Sequence, residues 1–585
     1  MNKNFILWIF CAIILSVTLS CEKDYVKDDE TDTQDSDDDT NLDGIHEDSA
    51  DYIWDASSVM LINLNGTSIT SSSTGVTIAG TVATITAAGT YNITGSLSNG
   101  QIIVNTEDEG TVRLLFNGVN ITSNSSAPVY VAKAKKAVIY LEKGTASYLT
   151  DASTYSYSGS DTEPDAALHS KSNLTIFGEG SLTVKGNYKD GIKSKDGLII
   201  NSGKISVTAK DDAVEGNDYV VARNSNLTIS AGGDGIKSDN STQATLGFIS
   251  LGTDTITIES NGDAISATTS AVVNSGIYSL TTGGGSSKTV SSTSSAKGIK
   301  GDANIKINGG SIVFSSADDA LHSNGSVEIN GGAISVATAD DGIHAETSIT
   351  INAGDINITK SYEAIESPTI TVNDGNIIIV ASNDGFNASK GLVAGGTEQN
   401  DGSMLTINGG NIAVSVTNGD CVDSNGNASM TGGALIVHGP ASSPELALDY
   451  NGTFNISGGL IIGSGPNSGN MIEGLSTSST QYSLKLILTS SLSASTLFHI
   501  QDESGNEIVT FQPSRTYNYI VFSSPNLKNG SKYYVYTGGS HSGTLSNGLY
   551  SGGTYTAGTA YTNFTISSIV TSIGTSSGGT PGGRP

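Results

Sequence analysis

The chain repeats one phrase about every 22 residues, and a short fixed period means one supersecondary unit stacked on copies of itself. The phrase is Asp, a small residue, an aliphatic and a polar residue, then two alternating strands split by a Gly-rich turn. Its clearest copies are Asp318-Asp319-Ala320-Leu321-His322-Ser323, running on to Gly331-Gly332, and Asp340-Asp341-Gly342-Ile343-His344-Ala345. Others begin at Asp190, Asp211-Asp212, Asp234, Asp263, Asp384 and Asp420. Runs such as Asn304-Ile305-Lys306-Ile307 and Ser311-Ile312-Val313-Phe314 are apolar at alternate positions. One face of each run therefore goes to a core and the other to solvent. Paired glycines, as at Gly309-Gly310, Gly331-Gly332 and Gly409-Gly410, allow positive φ at a sharp corner once per copy. Three short strands per copy predict an all-β chain: a right-handed parallel β-helix, a solenoid with N-terminal cap coils and a C-terminal β cap.

The ends of the chain read differently. Lys3 followed by the apolar run Phe5 to Leu19 has the form of a signal peptide over residues 1–20, too short for a stable membrane span. Thr18-Leu19-Ser20-Cys21 resembles a bacterial lipobox in its small residue before cysteine, but lacks Leu three residues before it. It predicts a lipid on Cys21. Residues 22 to 55 hold 15 Asp or Glu against two Lys, a net −13 of the chain's −29. So acidic a stretch predicts a solvated tether over 21–55. Lys27-Asp28-Asp29-Glu30 resembles the export signal of surface lipoproteins, which implies an outer membrane and its outer face, with the periplasmic side as the alternative. Cys421 is then the one cysteine of the folded body, which excludes a disulfide framework or a Cys-based metal site. The acidic balance excludes nucleic acid as a partner, because phosphates need basic stripes. The expected layout is irregular first coils over 56–164, regular repeats over 165–465, a C-terminal cap over 466–573 and a flexible tail over 574–585. A single chain is expected to act as a monomer.

Stacking the phrase puts its acids in one column. Neighbouring strands lie about 4.8 Å apart, and two carboxylates at about 5 Å repel by roughly 0.8 kcal/mol in water and about 3 kcal/mol at an effective dielectric of 20. Asp190, Asp212, Asp234 and Asp263 form one run, and Asp319 and Asp341 form another that Glu363 and Asp384 continue. The doublets at Asp211-Asp212, Asp318-Asp319 and Asp340-Asp341 crowd it further. Several calcium ions bridging these oxygens would relieve the repulsion, since calcium accepts six to eight oxygens in flexible geometry. The competing explanation is that each Asp simply bonds the backbone ahead of it as a turn former.

A second polar column follows three residues later, including Lys193, Glu215, Lys237, Lys300, His322, His344 and Glu366. With an inward aliphatic between the two columns, these side chains are expected outside. They form either a surface salt-bridge ladder or a groove for a carboxylated sugar polymer. His322 and His344 stand one copy apart and offer imidazoles for a transition metal.

The Asp-Asp-[Ala/Gly]-[Leu/Ile]-His copies, Ser295-Ala296-Lys297-Gly298-Ile299-Lys300, and Tyr533-Tyr534-Val535-Tyr536-Thr537-Gly538-Gly539 together resemble a family of bacterial carbohydrate-binding β-helix proteins, calcium-dependent and similar in fold to pectate lyases. The resemblance implies binding of plant-type polysaccharide, cellulose-like or pectic, with calcium held by the matching Asp residues. Lys297 and Glu363 stand where the pattern has Asp, which interrupts any calcium column. Two other functions compete with binding. One is a surface adhesin or stalk. The other is a polysaccharide lyase, which would need calcium beside the uronate carboxylate and a Lys or Arg as base. Lys193, Lys237, Lys300 and Arg223 are the candidates for that base.

Overall fold

The computed structural model describes residues 44–157, 162–291, 293–391 and 399–575. The predicted signal peptide, Cys21, the tether up to residue 43 and nearly all of the tail lie outside the described residues. Each copy of the phrase contributes three strands, as in Leu321–Ser323, Ser326–Ile329 and Ala333–Thr338. Successive copies pair in parallel, like on like: Leu321 with Ile343, His322 with His344, Val327 with Ile349, Ile334 with Ile356. Alternation decides which side chains enter the core. In Ser311–Ser316, Ile312 and Phe314 are buried while Ser311 and Val313 face out. One continuous cluster of buried aliphatics runs from Ile62 to Val521. The glycine corner is required by geometry: Gly332 has φ +99°, and a Cβ there would stand 2.9 Å from the carbonyl oxygen of Gly310 in the preceding copy.

The expected right-handed parallel β-helix is corrected by the hydrogen-bonding of these strands. Among the described residues they form two long sheets, of 33 and 16 strands, and two small ones of six and two. Both longer strands of a copy join the 33-stranded sheet, whereas the short Asp-led strands such as Leu321–Ser323 and Ile343–Ala345 form the 16-stranded one. The result is a layered, sandwich-like all-β arrangement, not a closed three-sided solenoid. The larger sheet is also mixed in sense. Met60–Gly66 pairs antiparallel with Ile69–Ser71, and Leu460–Gly465 pairs antiparallel with Tyr517–Ser523. Beyond that point a second apolar cluster forms around Phe498, Phe511, Phe522 and Tyr533.

The expected tether is also shorter than 21–55, because residues from Gly44 onward are folded. Asp48 caps a single 3-10 turn, Ser49–Tyr52, in a reciprocal capping box. The segment is then fixed side chain by side chain. Lys136 Nζ lies 2.6 Å from Asp51 Oδ2 and donates to the His46 carbonyl at 2.9 Å, and Glu47 pairs with Arg223. Trp54 packs on Tyr140, and Tyr52 meets Phe177 edge-on.

Candidate functional site

The acidic column is built from backbone outward. Its main contact is an Asp oxygen accepting the backbone N–H of the matching residue one copy later. Asp234 N–H donates to Asp212 Oδ1 at 2.7 Å, Asp263 N–H to Asp234 Oδ1 at 2.8 Å, and Lys297 N–H to Asp263 Oδ1 at 2.7 Å. The second run repeats it: Asp341 N–H to Asp319 Oδ1 at 3.0 Å, Glu363 N–H to Asp341 Oδ1 at 3.1 Å, Asp420 N–H to Asp384 Oδ1 at 2.6 Å. A buried N–H left without an acceptor is costly, and the corner leaves these donors no strand partner. Lys297, which is not an acid, ends the first run: the Asp319 N–H that follows donates to Asp318 Oδ1 at 2.9 Å.

The other Asp oxygen meets a cation over much of the column. The second polar column does not simply face solvent, as its place after an inward aliphatic suggests: Lys193 and Glu215 are buried, and Lys237, Lys300, His322, His344 and Glu366 are half-buried. The long side chains lie back along the Asp column. Lys193 Nζ is 2.8 Å from Asp190, 2.8 Å from Glu215 and 3.4 Å from Asp165. Lys237 lies 2.9 Å from Asp212 and 3.4 Å from Asp234, and Lys297 lies 2.7 Å from Asp318 and 3.2 Å from Asp319. His322 and His344 reach Asp319 and Asp341 at 2.7 and 3.2 Å, and His344 also reaches Glu366 at 3.0 Å. Burial opposes ionisation of Asp319, but His322 and Lys297 outweigh it and hold its carboxyl below the usual range.

These contacts bear directly on the predicted bases. Burial would favour a neutral Lys193, yet Glu215, Asp190 and Asp165 hold it firmly protonated. Asp212 does the same for Lys237 against its burial. A lysine base must give up its proton near the working pH, and these two are driven the other way. Arg223 is taken up by Glu47 and by Asn201 Oδ1 at 2.9 Å. Lys300 lies 3.6 Å from Asp302.

Two of the predicted metal groups are brought together: Asp190, Asp211 and Asp212, and Asp318, Asp319 and Asp340, each with ligand oxygens within 4.8 Å of one another. Lys193, Lys237 and Lys297 already neutralise part of both, so their donor sets fit calcium poorly. The chemistry of the column changes toward the C-terminal end. There the residues three after Glu363, Asp384 and Asp420 are Glu366, Asn387 and Asp423, which supply oxygens in place of ammonium groups. Burial, with the charges of Glu366 and Asp341, pushes Glu363 up to about 7. Burial and Glu363 push Asp384 up to about 7, and burial with Asp449 pushes Asp420 up to about 9. Asn387 donates to Glu363 at 2.7 Å and to Glu366 at 3.3 Å. Its Oδ1 is buried and accepts no hydrogen bond. Asn387 is in register between Glu366 and Asp423. Asp420 starts a copy of the phrase, and Asn387 and Asp423 continue the second polar column.

A further feature that sequence reasoning missed is an asparagine ladder at the glycine corner. Asn308 donates to Asn274 at 2.8 Å, Asn330 to Asn308 at 3.0 Å, Asn352 to Asn330 at 2.7 Å, Asn373 to Asn352 at 2.7 Å and Asn408 to Asn373 at 2.9 Å. Its signal was Asn standing two residues before each corner glycine. Aromatic rings also gather beside the acids. Tyr155 and Tyr188 stack at 4.5 Å two residues from Asp190, and Tyr362, next to Glu363, is 50 % exposed.

Residues 79–342 match the family model described as "Carbohydrate-binding domain-containing protein". A protein of Acetivibrio thermocellus with the same description is 38 % identical over 136 residues, which cover 23 % of this chain and 48 % of that protein. The chain thus spans about half the length of that curated relative. A solved structure of a polysaccharide lyase-like protein from C. thermocellum, a gadolinium derivative, is 33 % identical and covers 38 % of this chain and 92 % of its own, with a TM-score of 0.38. The coarse part of the resemblance, likeness to bacterial carbohydrate-binding proteins, therefore holds for residues 79–342. The matched stretch contains the lysine-neutralised part of the column and ends before Glu363, Asp384 and Asp420.

Proposed function

We propose that this chain binds polysaccharide outside the cell and does not cleave it. The observation that carries the binding reading is the match of residues 79–342 to a carbohydrate-binding domain family. The ion-paired state of Lys193, Lys237 and Arg223 favours binding over β-elimination, because none of the three is poised to accept a proton. The ligand is a plant-type polymer, cellulose-like or pectic, lying along the stacked copies with tyrosines such as Tyr362 against its sugar faces. Trp54, occupied by Tyr140, is not available for that role.

Calcium is part of this proposal, but at a narrower place than the whole Asp column. Glu363, Asp384, Asn387 and Asp420 would hold it, with the Asn387 Oδ1 supplying a neutral oxygen among the carboxylates. Calcium there would offset mutual repulsion and could bridge to a uronate. A lipid on Cys21 would fix the protein to an outer membrane, with the polymer-binding body facing out.

The test is co-sedimentation of the purified protein with polygalacturonate and with cellulose, with calcium or chelator, while ultraviolet absorbance follows unsaturated product. Retention without an absorbance rise is expected, with retention on polygalacturonate weakened by chelator. A calcium-dependent absorbance rise would overturn the binder reading, and absence of retention on either polymer would overturn carbohydrate binding itself.

A further inference from the structure

His322 and His344 are imidazoles of neighbouring copies in the column, and the fold stacks them. Their strands pair in register, residue on residue, and the rings lie 5.0 Å apart at an interplanar angle of 28°. Nδ1 of each ring is turned to carboxylates. His322 Nδ1 lies 2.7 Å from Asp319 Oδ2, and His344 Nδ1 lies 3.2 Å from Asp341 Oδ2 and 3.0 Å from Glu366 Oε2. Asp319, His322 and His344 form one group whose ligand atoms all lie within 4.8 Å of one another, and Asp341, His344 and Glu366 form a second. His344 belongs to both.

In a tetrahedral site with metal–ligand bonds of about 2.0–2.1 Å, ligand atoms stand roughly 3.3 Å apart. The His344–Asp341 and His344–Glu366 separations already approach that edge length. The donor set of two imidazole nitrogens and carboxylate oxygens also differs in kind from the all-oxygen end at Asp384. Imidazole suits zinc, nickel and copper, whereas calcium prefers oxygen alone. The buried Asp319 and Asp341 are held in place by their ladder bonds, so the carboxylates are oriented before any ion arrives.

We propose that Asp319, His322 and His344 form a binding site for one first-row divalent transition ion of the zinc class, apart from Glu363, Asp384, Asn387 and Asp420. This site does not depend on polysaccharide binding, so either proposal can fail alone. Isothermal titration of untagged, chelator-stripped protein with zinc chloride, in excess calcium, tests it. One saturable equivalent is expected, with affinity lowered at least tenfold by His344→Gln and by His322→Gln. Both side chains are partly solvent-facing, and thermal melts check that the variants fold. Cobalt(II) substitution provides a second measurement: a visible absorption band of low-symmetry nitrogen and oxygen ligation is expected, and it should disappear in His344→Gln. Absence of saturable zinc uptake, or uptake unchanged in both variants, would overturn the proposal.

Discussion

The backbone N–H of Asp341 donates to Oδ1 of Asp319 at 3.0 Å, across 22 residues of sequence. Asp212, Asp234, Asp263, Asp319, Asp341 and Asp384 are each acceptors for the next copy in this way. Repetition of Asp has a structural cause here that needs no ligand: a rung between copies, where the turn-former explanation expects each Asp to bond the backbone just ahead of it.

The two oxygens of Asp319 should therefore be separable by substitution. Asp319→Asn keeps an acceptor for Asp341 N–H but weakens the contacts to His322 and Lys297. Asp319→Ala removes both, leaving the buried Asp341 N–H without its acceptor and Lys297 with Asp318 alone, at a cost of about 1–3 kcal/mol. Urea unfolding should rank wild type above Asn above Ala. Equal losses for Asn and Ala would mean that the backbone contact contributes nothing.

Stability should fall as pH rises when calcium is removed. Glu363, Asp384 and Asp420 have folded-state values raised to about 7, about 7 and about 9, above the usual values near 4. A raised carboxyl contributes stability that is fully present below its unfolded value and is lost as pH climbs through the folded one. In chelator, Tm should decline from about pH 4 toward pH 9. Saturating calcium, which favours the ionised folded form, should flatten that decline at its alkaline end. Identical pH profiles with and without calcium would remove calcium from this end of the column.

Lys193 supports structure, and its loss should register as instability. Lys193→Met would leave Asp165, Asp190 and Glu215 without their shared cation, at a cost of about 3–5 kcal/mol. Thermal unfolding should show a large drop in Tm. A variant as stable as wild type that had lost a polymer-degrading activity would restore Lys193 as a catalytic base.

Much of this was legible in the chain. Alternation placed Ile312 and Phe314 in the core, and the paired glycines marked the corner where Gly332 has positive φ, because both signals are local. A salt-bridge ladder was one of two readings for Lys193 and Lys237, but their burial against the Asp column was not legible. Counting outward from an inward aliphatic fixes where a side chain leaves the backbone, but a long lysine can turn back toward charge, and its partners come from neighbouring copies. Grouping of strands into two sheets was hidden for a similar reason, since alternation shows which face is buried and not which edges hydrogen-bond. Composition misjudged residues 44–55 because acidity averaged over a whole segment conceals single contacts such as Asp51 with Lys136.

Glu47 and Arg223 stand 176 residues apart in sequence, and the folded segment from Gly44 also grips Arg113 and Lys136. Release of this segment would therefore disturb several strands at once, and not the first strand alone. It closes like a clasp over parts of the chain far apart in sequence, so those few side chains decide together how the first copies come undone.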